Sequence, residues 1–92
     1  MSATIRHEPD ARRFVLDLPG GTGVITYREL AERVLDLDHT FVPPALRGGG
    51  VASQLAEHAL RYARERGYRV IPSCPFVAAF IERHPQHRDL LA

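Results

Sequence analysis

The stretch P-P-A-L-R-G-G-G-V-A-S-Q-L, Pro43 to Leu55, decides how the rest of the chain is read. Two prolines stop whatever strand precedes them, because proline cannot donate to a β-ladder. Three consecutive glycines, Gly48 to Gly50, then lead directly into a helical pattern. Glycine destabilises ordered backbone, so three at a helix start suggest either a flexible connector or a site where a ligand approaches the backbone closely. The first turn of a helix leaves N–H groups without partners, and the helix dipole adds partial positive charge. An anionic oxygen satisfies both. Side chains would hold a phosphate away from that backbone, and glycine removes them. Arg47 adds a guanidinium able to fork onto phosphate oxygens.

Downstream, the helical period covers Gly50 to Arg66. Val51, Leu55, Ala59 and Tyr62 form one stripe beside Ala52, Ala56, Leu60 and Ala63. Ser53, Gln54, Glu57, His58, Arg61 and Arg64 occupy the other side. Gly67 is placed to end the helix in a left-handed cap. Arg69 to Ile71 reads as a short strand stopped by Pro72. A second helix over Phe76 to Arg83 begins after Ser73-Cys74-Pro75 and should bury Phe76, Val77, Phe80 and Ile81. His84-Pro85 ends it.

Upstream, the period is that of strands. Thr4 to Glu8 suits a short strand ended by Pro9. Arg12 to Leu18 alternates, with Phe14, Leu16 and Leu18 on one face. Pro19-Gly20-Gly21 is turn chemistry, and Thr22 to Arg28 is rich in β-branched residues, so the two runs form a hairpin. Tyr27 to Val34 fits either a short helical stretch or a loop, and the loop is the preferred reading. Val34 to Val42 alternates again, with Leu35, Leu37, His39 and Phe41 facing one way and Asp36, Asp38 and Thr40 the other. The predicted architecture is a mixed α/β or α+β layer, several antiparallel strands followed by helix, strand and short helix.

The 92 residues suit one domain, residues 1–92. A net charge of +1 supplies no strong attraction to nucleic acid or an anionic membrane, and the strands lack basic–aromatic interleaving. No run approaches transmembrane length, and the start, MSATIRHEPD, has no apolar stretch like that of a signal peptide. The lone cysteine, Cys74, points to a reducing, cytoplasmic setting. No histidines or cysteines have the spacing of a metal site, so none is expected. Neither a G-x-x-x-x-G-K-[ST] motif nor a dinucleotide fingerprint occurs, which disfavours a nucleoside triphosphatase or a dehydrogenase.

Arg47-Gly48-Gly49-Gly50-Val51-Ala52 fits an R-x-x-G-x-A pattern, and Asp38 to Leu90 adds a strand ending in His-Thr, then V-P-P, a P-x-C-P-F segment and a late R-H-P. This combination resembles the small, single-domain branch of the Gcn5-related N-acetyltransferases. The resemblance implies a mixed, mostly antiparallel twisted sheet whose fourth and fifth strands splay apart, with a long helix after the fourth strand and a short C-terminal helix. It implies acetyl-coenzyme A as co-substrate. Its pyrophosphate would lie on Gly48 to Ala52 with Arg47, and its pantetheine arm in the splay beside backbone groups near Phe41 and Val42. The helices that in most members follow the first strand are missing here, which leaves an unidentified amine acceptor with an open site.

Two side chains are candidates for the chemistry. Cys74 sits at a helix start just past the fifth strand, where it accepts the acetyl group covalently, lines the thiol end of the groove, or simply packs as a small hydrophobe. His39, near the splay, is placed either to take the amine proton or to serve as a hydrogen-bonded core histidine. Direct attack of the amine, with Cys74 as a groove contact, is the preferred route. His58, His84 and His87 read as surface or capping residues, Phe76 and Phe80 as core, and Arg61, Arg64, Arg66 and Arg69 as a solvated face from which one could reach the cofactor 3′-phosphate. A coenzyme A-binding module without efficient catalysis is the alternative, and a monomer or weak homodimer fits the exposed sheet edges.

Overall fold

The structure, a computed structural model, describes residues 4–92. Residues 1–3, the beginning of the polar N-terminal stretch, lie outside the described residues. Five strands, β1 (Ile5–Glu8), β2 (Arg13–Leu18), β3 (Gly21–Leu30), β4 (Val34–Phe41) and β5 (Arg69–Ile71), form one sheet in the order β1-β2-β3-β4-β5. The first three pairings are antiparallel. The β4–β5 pairing is parallel, and α1 (Val51–Arg66) makes the crossover that parallel pairing requires. A second helix, α2 (Pro75–Arg83), follows β5. This is the mixed, mostly antiparallel α+β fold that the resemblance implied. A short 3₁₀ turn, Pro9–Ala11, is all that joins β1 to β2.

One core holds the domain together. Phe14, Leu16, Ile25, Tyr27, Leu35 and Leu37 point from the strands onto Leu55, Ala56, Ala59, Leu60 and Ala63 of α1, and Val77, Phe80 and Ile81 of α2 close it from the side. The alanines let α1 lie close to the sheet. Gly67 ends α1 with φ 75°, its N–H reaching the carbonyls of Ala63 and Arg64, as its sequence position suggests.

Three expectations need correction. The stretch Tyr27 to Val34 is not a loop. β3 continues to Leu30, and only residues 31–33 turn. Tyr27 to Leu30 are drawn into the ladder because Leu37 to Val34 offer them partners, a non-local gain that local propensity does not reveal.

The second correction concerns the faces of β4. Thr26 pairs with His39 but Tyr27 pairs with Leu37, so Asp38 is an extra residue, a β-bulge. Directly opposed residues share a face. Leu37 therefore lies with Tyr27 on the core side, and His39 lies with Thr26 on the opposite, open side. Thr40, opposite buried Ile25, turns toward the helices, and Phe41 turns away, 47% exposed. The regular alternation that joined His39 and Phe41 to Leu35 and Leu37 fails because one inserted residue inverts every side chain after it.

The third correction concerns three side chains. Phe76 is only half-buried. His87, read as surface or capping, is buried, with its Nε2 3.0 Å from Glu57 Oε1. Asp36 lies on the open face yet is only 4% exposed. Arg28 directly opposite donates to its Oδ2 at 3.0 Å. The hydroxyl of Ser73, with that arginine, holds the Asp36 carboxyl below the usual carboxylate range.

Candidate acyl-transfer site

The candidate site begins at the start of α1, directly after the three glycines. Gly50 caps α1 in the left-handed region, φ 83°, and no side chain caps the helix. The amides at the start of α1 therefore lack a side-chain acceptor. Gly48 is also left-handed, φ 86°, and a Cβ built on either Gly48 or Gly50 would meet nothing within 4 Å. Those bare positions border a cavity of about 260 Å³, which Val51, Ala52, Ser53 and Arg47 also line. Gly49 does not line it. Its Cβ would instead touch the Leu46 carbonyl at 3.5 Å. Arg47 Nε donates to the Val42 carbonyl at 3.0 Å, which fixes the side chain across the stem of the loop.

An apolar wall continues from this end, which is lined by backbone amides and Arg47. Val42, Leu46 and Phe76 line the same cavity, so Phe76 is both core and cavity surface. Sequence periodicity marked it only as core. Val42 is at the cavity, whereas the Phe41 ring is on the open face.

β4 and β5 stay paired only as far as Asp36 and Ile71. Beyond them the chains part, held by the Cys74 N–H donating to the Leu37 carbonyl at 2.9 Å. Cys74 caps α2, and its carbonyl accepts the Ala78 N–H at 3.1 Å. Its sulfur, in a residue 5% exposed, lies 3.5 Å from Thr40 Oγ1. The bulge at Asp38 is what turns the Thr40 hydroxyl toward this cysteine. Without the bulge Thr40 would face away, so regular alternation along β4 does not reveal this contact.

The two proposed chemical residues thus sit at one end of the splay on different faces of the sheet. Cys74 and Thr40 are on the helix side. His39 is exposed on the open side, next to the bulged Asp38, whose Oδ1 accepts the Thr26 hydroxyl at 2.6 Å. Of the remaining histidines, His58 and His84 line a separate cleft of about 390 Å³ on the outer side of α1, with Arg61 and Phe80. Ser53 borders both this cleft and the loop cavity. Arg64 is committed to Asp89 through two hydrogen bonds of 2.8 Å, and Arg69 to the Asp89 carbonyl. Among the described residues no three His, Cys, Asp or Glu side chains group as a metal site would require, and no helix is long and apolar enough to cross a membrane.

Comparison with known proteins bears on the family and the fold. The family model described as GCN5-related N-acetyl-transferase matches residues 13–90. The chain is 34% identical over 83 residues to Protein NATD1 of Bos taurus, covering 88% of this chain and 74% of that one. It is 31% identical to Protein NATD1 of Homo sapiens over the same shares. The solution structure of a GCN5-like candidate N-acetyltransferase from Staphylococcus aureus superposes with a TM-score of 0.77, at 26% identity, covering 98% of this chain and 88% of that chain. The chain belongs to the GCN5-related N-acetyltransferase family.

Proposed function

We propose that residues 1–92 act as one acetyltransferase domain that binds acetyl-coenzyme A and passes the acetyl group to an amine by direct attack in a ternary complex. The observation that carries this reading is one cavity that joins an uncapped helix N-terminus, bare at Gly48 and Gly50 and flanked by Arg47, to an apolar wall of Val42, Leu46 and Phe76. The pyrophosphate finds amides and a guanidinium, and the pantetheine arm finds Val42 and Phe76. Coenzyme A, when bound, supplies the activated thioester. The chain supplies position, which can account for much of the acceleration of a two-substrate reaction. His39, exposed on the open face, is the group placed to take the amine proton. Cys74 is a groove contact. Its buried sulfur, beside a threonine hydroxyl and a helix N-terminus, fits the thiol end of the cofactor. A chain that keeps one free buried thiol suits a reducing, cytoplasmic setting.

The competing reading is a coenzyme A-binding module without efficient catalysis, favoured because, among the described residues, no carboxylate bonds Cys74 or Thr40. Release of free coenzyme A thiol from acetyl-coenzyme A, measured with and without a panel of amines, separates the two. Amine-dependent release with an acetylated amine product supports transfer. Tight binding of coenzyme A with no product from any amine supports the module.

A further inference from the structure

We propose that Asp38 is the carboxylate that receives the acceptor, and that the acceptor is a primary alkylammonium presented to the open face of the sheet beside His39. This rests on the acetyl-transfer reading above and adds the acceptor's chemical class and its docking residue.

The geometry comes from the bulge. Asp38 and His39 together oppose Thr26, whose hydroxyl bonds Asp38 Oδ1 at 2.6 Å and approaches the His39 carbonyl at 3.4 Å. That bond brings the Asp38 carboxylate to the face that His39 occupies. In a regular strand, neighbours point to opposite sides. The insertion therefore brings an acid and an imidazole to one side, at the strand end next to Thr40 and Cys74. The opposite side is closed by the helices, so an acceptor has the open face for its approach.

Charge decides what approaches. The other carboxylates on the open face are already matched. Glu8 binds Arg6 and Arg13, Asp17 binds Arg6, and Asp36 binds Arg28. Among the described residues, Asp38 has a hydroxyl but no cation as partner. A cationic acceptor thus finds one uncommitted carboxylate on this face, two residues before Thr40 at the end of β4. Phe41 shares the face two residues on, 47% exposed, with half-buried Val24 opposite it. These provide an apolar strip for a methylene chain whose charged end is at Asp38. The ammonium gives one proton to His39, and its nitrogen lone pair attacks the thioester carbon. The C–N bond forms, the C–S bond breaks, and the coenzyme leaves as a thiolate that takes up the second proton the nitrogen loses as it becomes an amide.

The test uses Asp38→Asn, which keeps an oxygen for the Thr26 hydroxyl and removes only the charge. With n-butylamine as acceptor, KM should rise about tenfold, the loss of one charge-assisted hydrogen bond. KM for aniline, neutral at pH 7.5, and the affinity for coenzyme A should change by less than about twofold. Equal losses with both amines, or no loss with either, overturn the proposal. A lysine-containing peptide run alongside butylamine tells whether the favoured ammonium belongs to a polypeptide or a free amine. A wild type that binds coenzyme A but acetylates no amine sinks the transfer reading on its own. The docking claim then stands or falls on NMR. Titrating n-butylammonium into the coenzyme A complex should shift the Asp38 and His39 amides in the wild type and not in Asp38→Asn, and unmoved wild-type amides overturn it.

Discussion

The hydroxyl of Thr40 lies 3.5 Å from the sulfur of Cys74, although 34 residues separate them. One closes the end of β4 and the other begins α2, so the contact spans the splay at its narrow end. If Cys74 is a groove contact, Cys74→Ala should retain most transfer activity while weakening coenzyme A binding a few-fold. Intact mass after incubation with acetyl-coenzyme A alone should show no added acetyl group. An acetyl-cysteine that disappears on adding amine at the rate of turnover would establish covalent transfer instead.

Coenzyme A should raise the melting temperature, because a ligand that binds only the folded chain stabilises it by mass action. At one hundred times its dissociation constant the gain is about 2.7 kcal/mol, several degrees for a domain of this size. A thermal-shift series with coenzyme A and acetyl-coenzyme A measures it. No shift with either removes the assigned site.

The three glycines should not be equivalent. Gly48→Ala and Gly50→Ala place a methyl group in a left-handed residue and at the cavity wall. Each should cost about 1–2 kcal/mol in stability and weaken coenzyme A binding at least about tenfold. Gly49→Ala, away from the cavity and in ordinary contact with the Leu46 carbonyl, should do neither. Calorimetry on the three folded variants decides this, and equal affinities would make the loop a plain connector.

Gly23 is different, because its constraint is packing. A Cβ there would be 2.7 Å from Val51 Cγ1 and 3.2 Å from Leu55 Cδ1. Gly23→Ala should push the start of α1 off the sheet, at about 1–3 kcal/mol. The first turn carries the proposed anion site, so coenzyme A affinity should fall with it. Chemical denaturation and calorimetry on the same variant test both parts, and a loss of stability with unchanged affinity would uncouple them.

Acidification should destabilise the domain in two stages. His7, stacked on Phe14 at 4.4 Å with its Nε2 2.6 Å from the Tyr27 hydroxyl, has its pKa lowered by burial and by the nearby His58 and Arg66. His58 is lowered by burial and Arg61. Burial likewise pushes the Tyr27 hydroxyl up to about 12, so it stays protonated throughout. Both histidines bind protons more readily when unfolded, so stability is full above their ordinary value of 6.5 and falls as pH drops through it. The lowered pKa of Asp36 adds a second loss below the ordinary aspartate value of 3.8. Urea midpoints from pH 8 to pH 3 should show this, and His7→Gln should flatten the first stage. A midpoint constant from pH 7.5 to 5 would contradict the assignment.

Local chemistry fixed much of this protein before any packing was considered. The prolines after Val42, the glycines before Val51 and the apolar stripe of α1 set the strand end, the loop and the helix. Each depends on residues close in sequence: a missing N–H, a missing Cβ, a period of 3.6. The loop end of the proposed site was legible for the same reason. The end around Thr40, His39 and Cys74 was not. Whether β3 stops at Arg28 or runs to Leu30 depends on partners offered by Val34 to Leu37, and the bulge at Asp38 exists only in that pairing. A bulge has no dependable single-strand signature, because it is a mismatch between two strands. Yet that one residue turns Thr40 to Cys74, sends His39 to the open face and brings Asp38 there beside it. Periodicity states which residues alternate, and only the tertiary ladder decides where the alternation breaks.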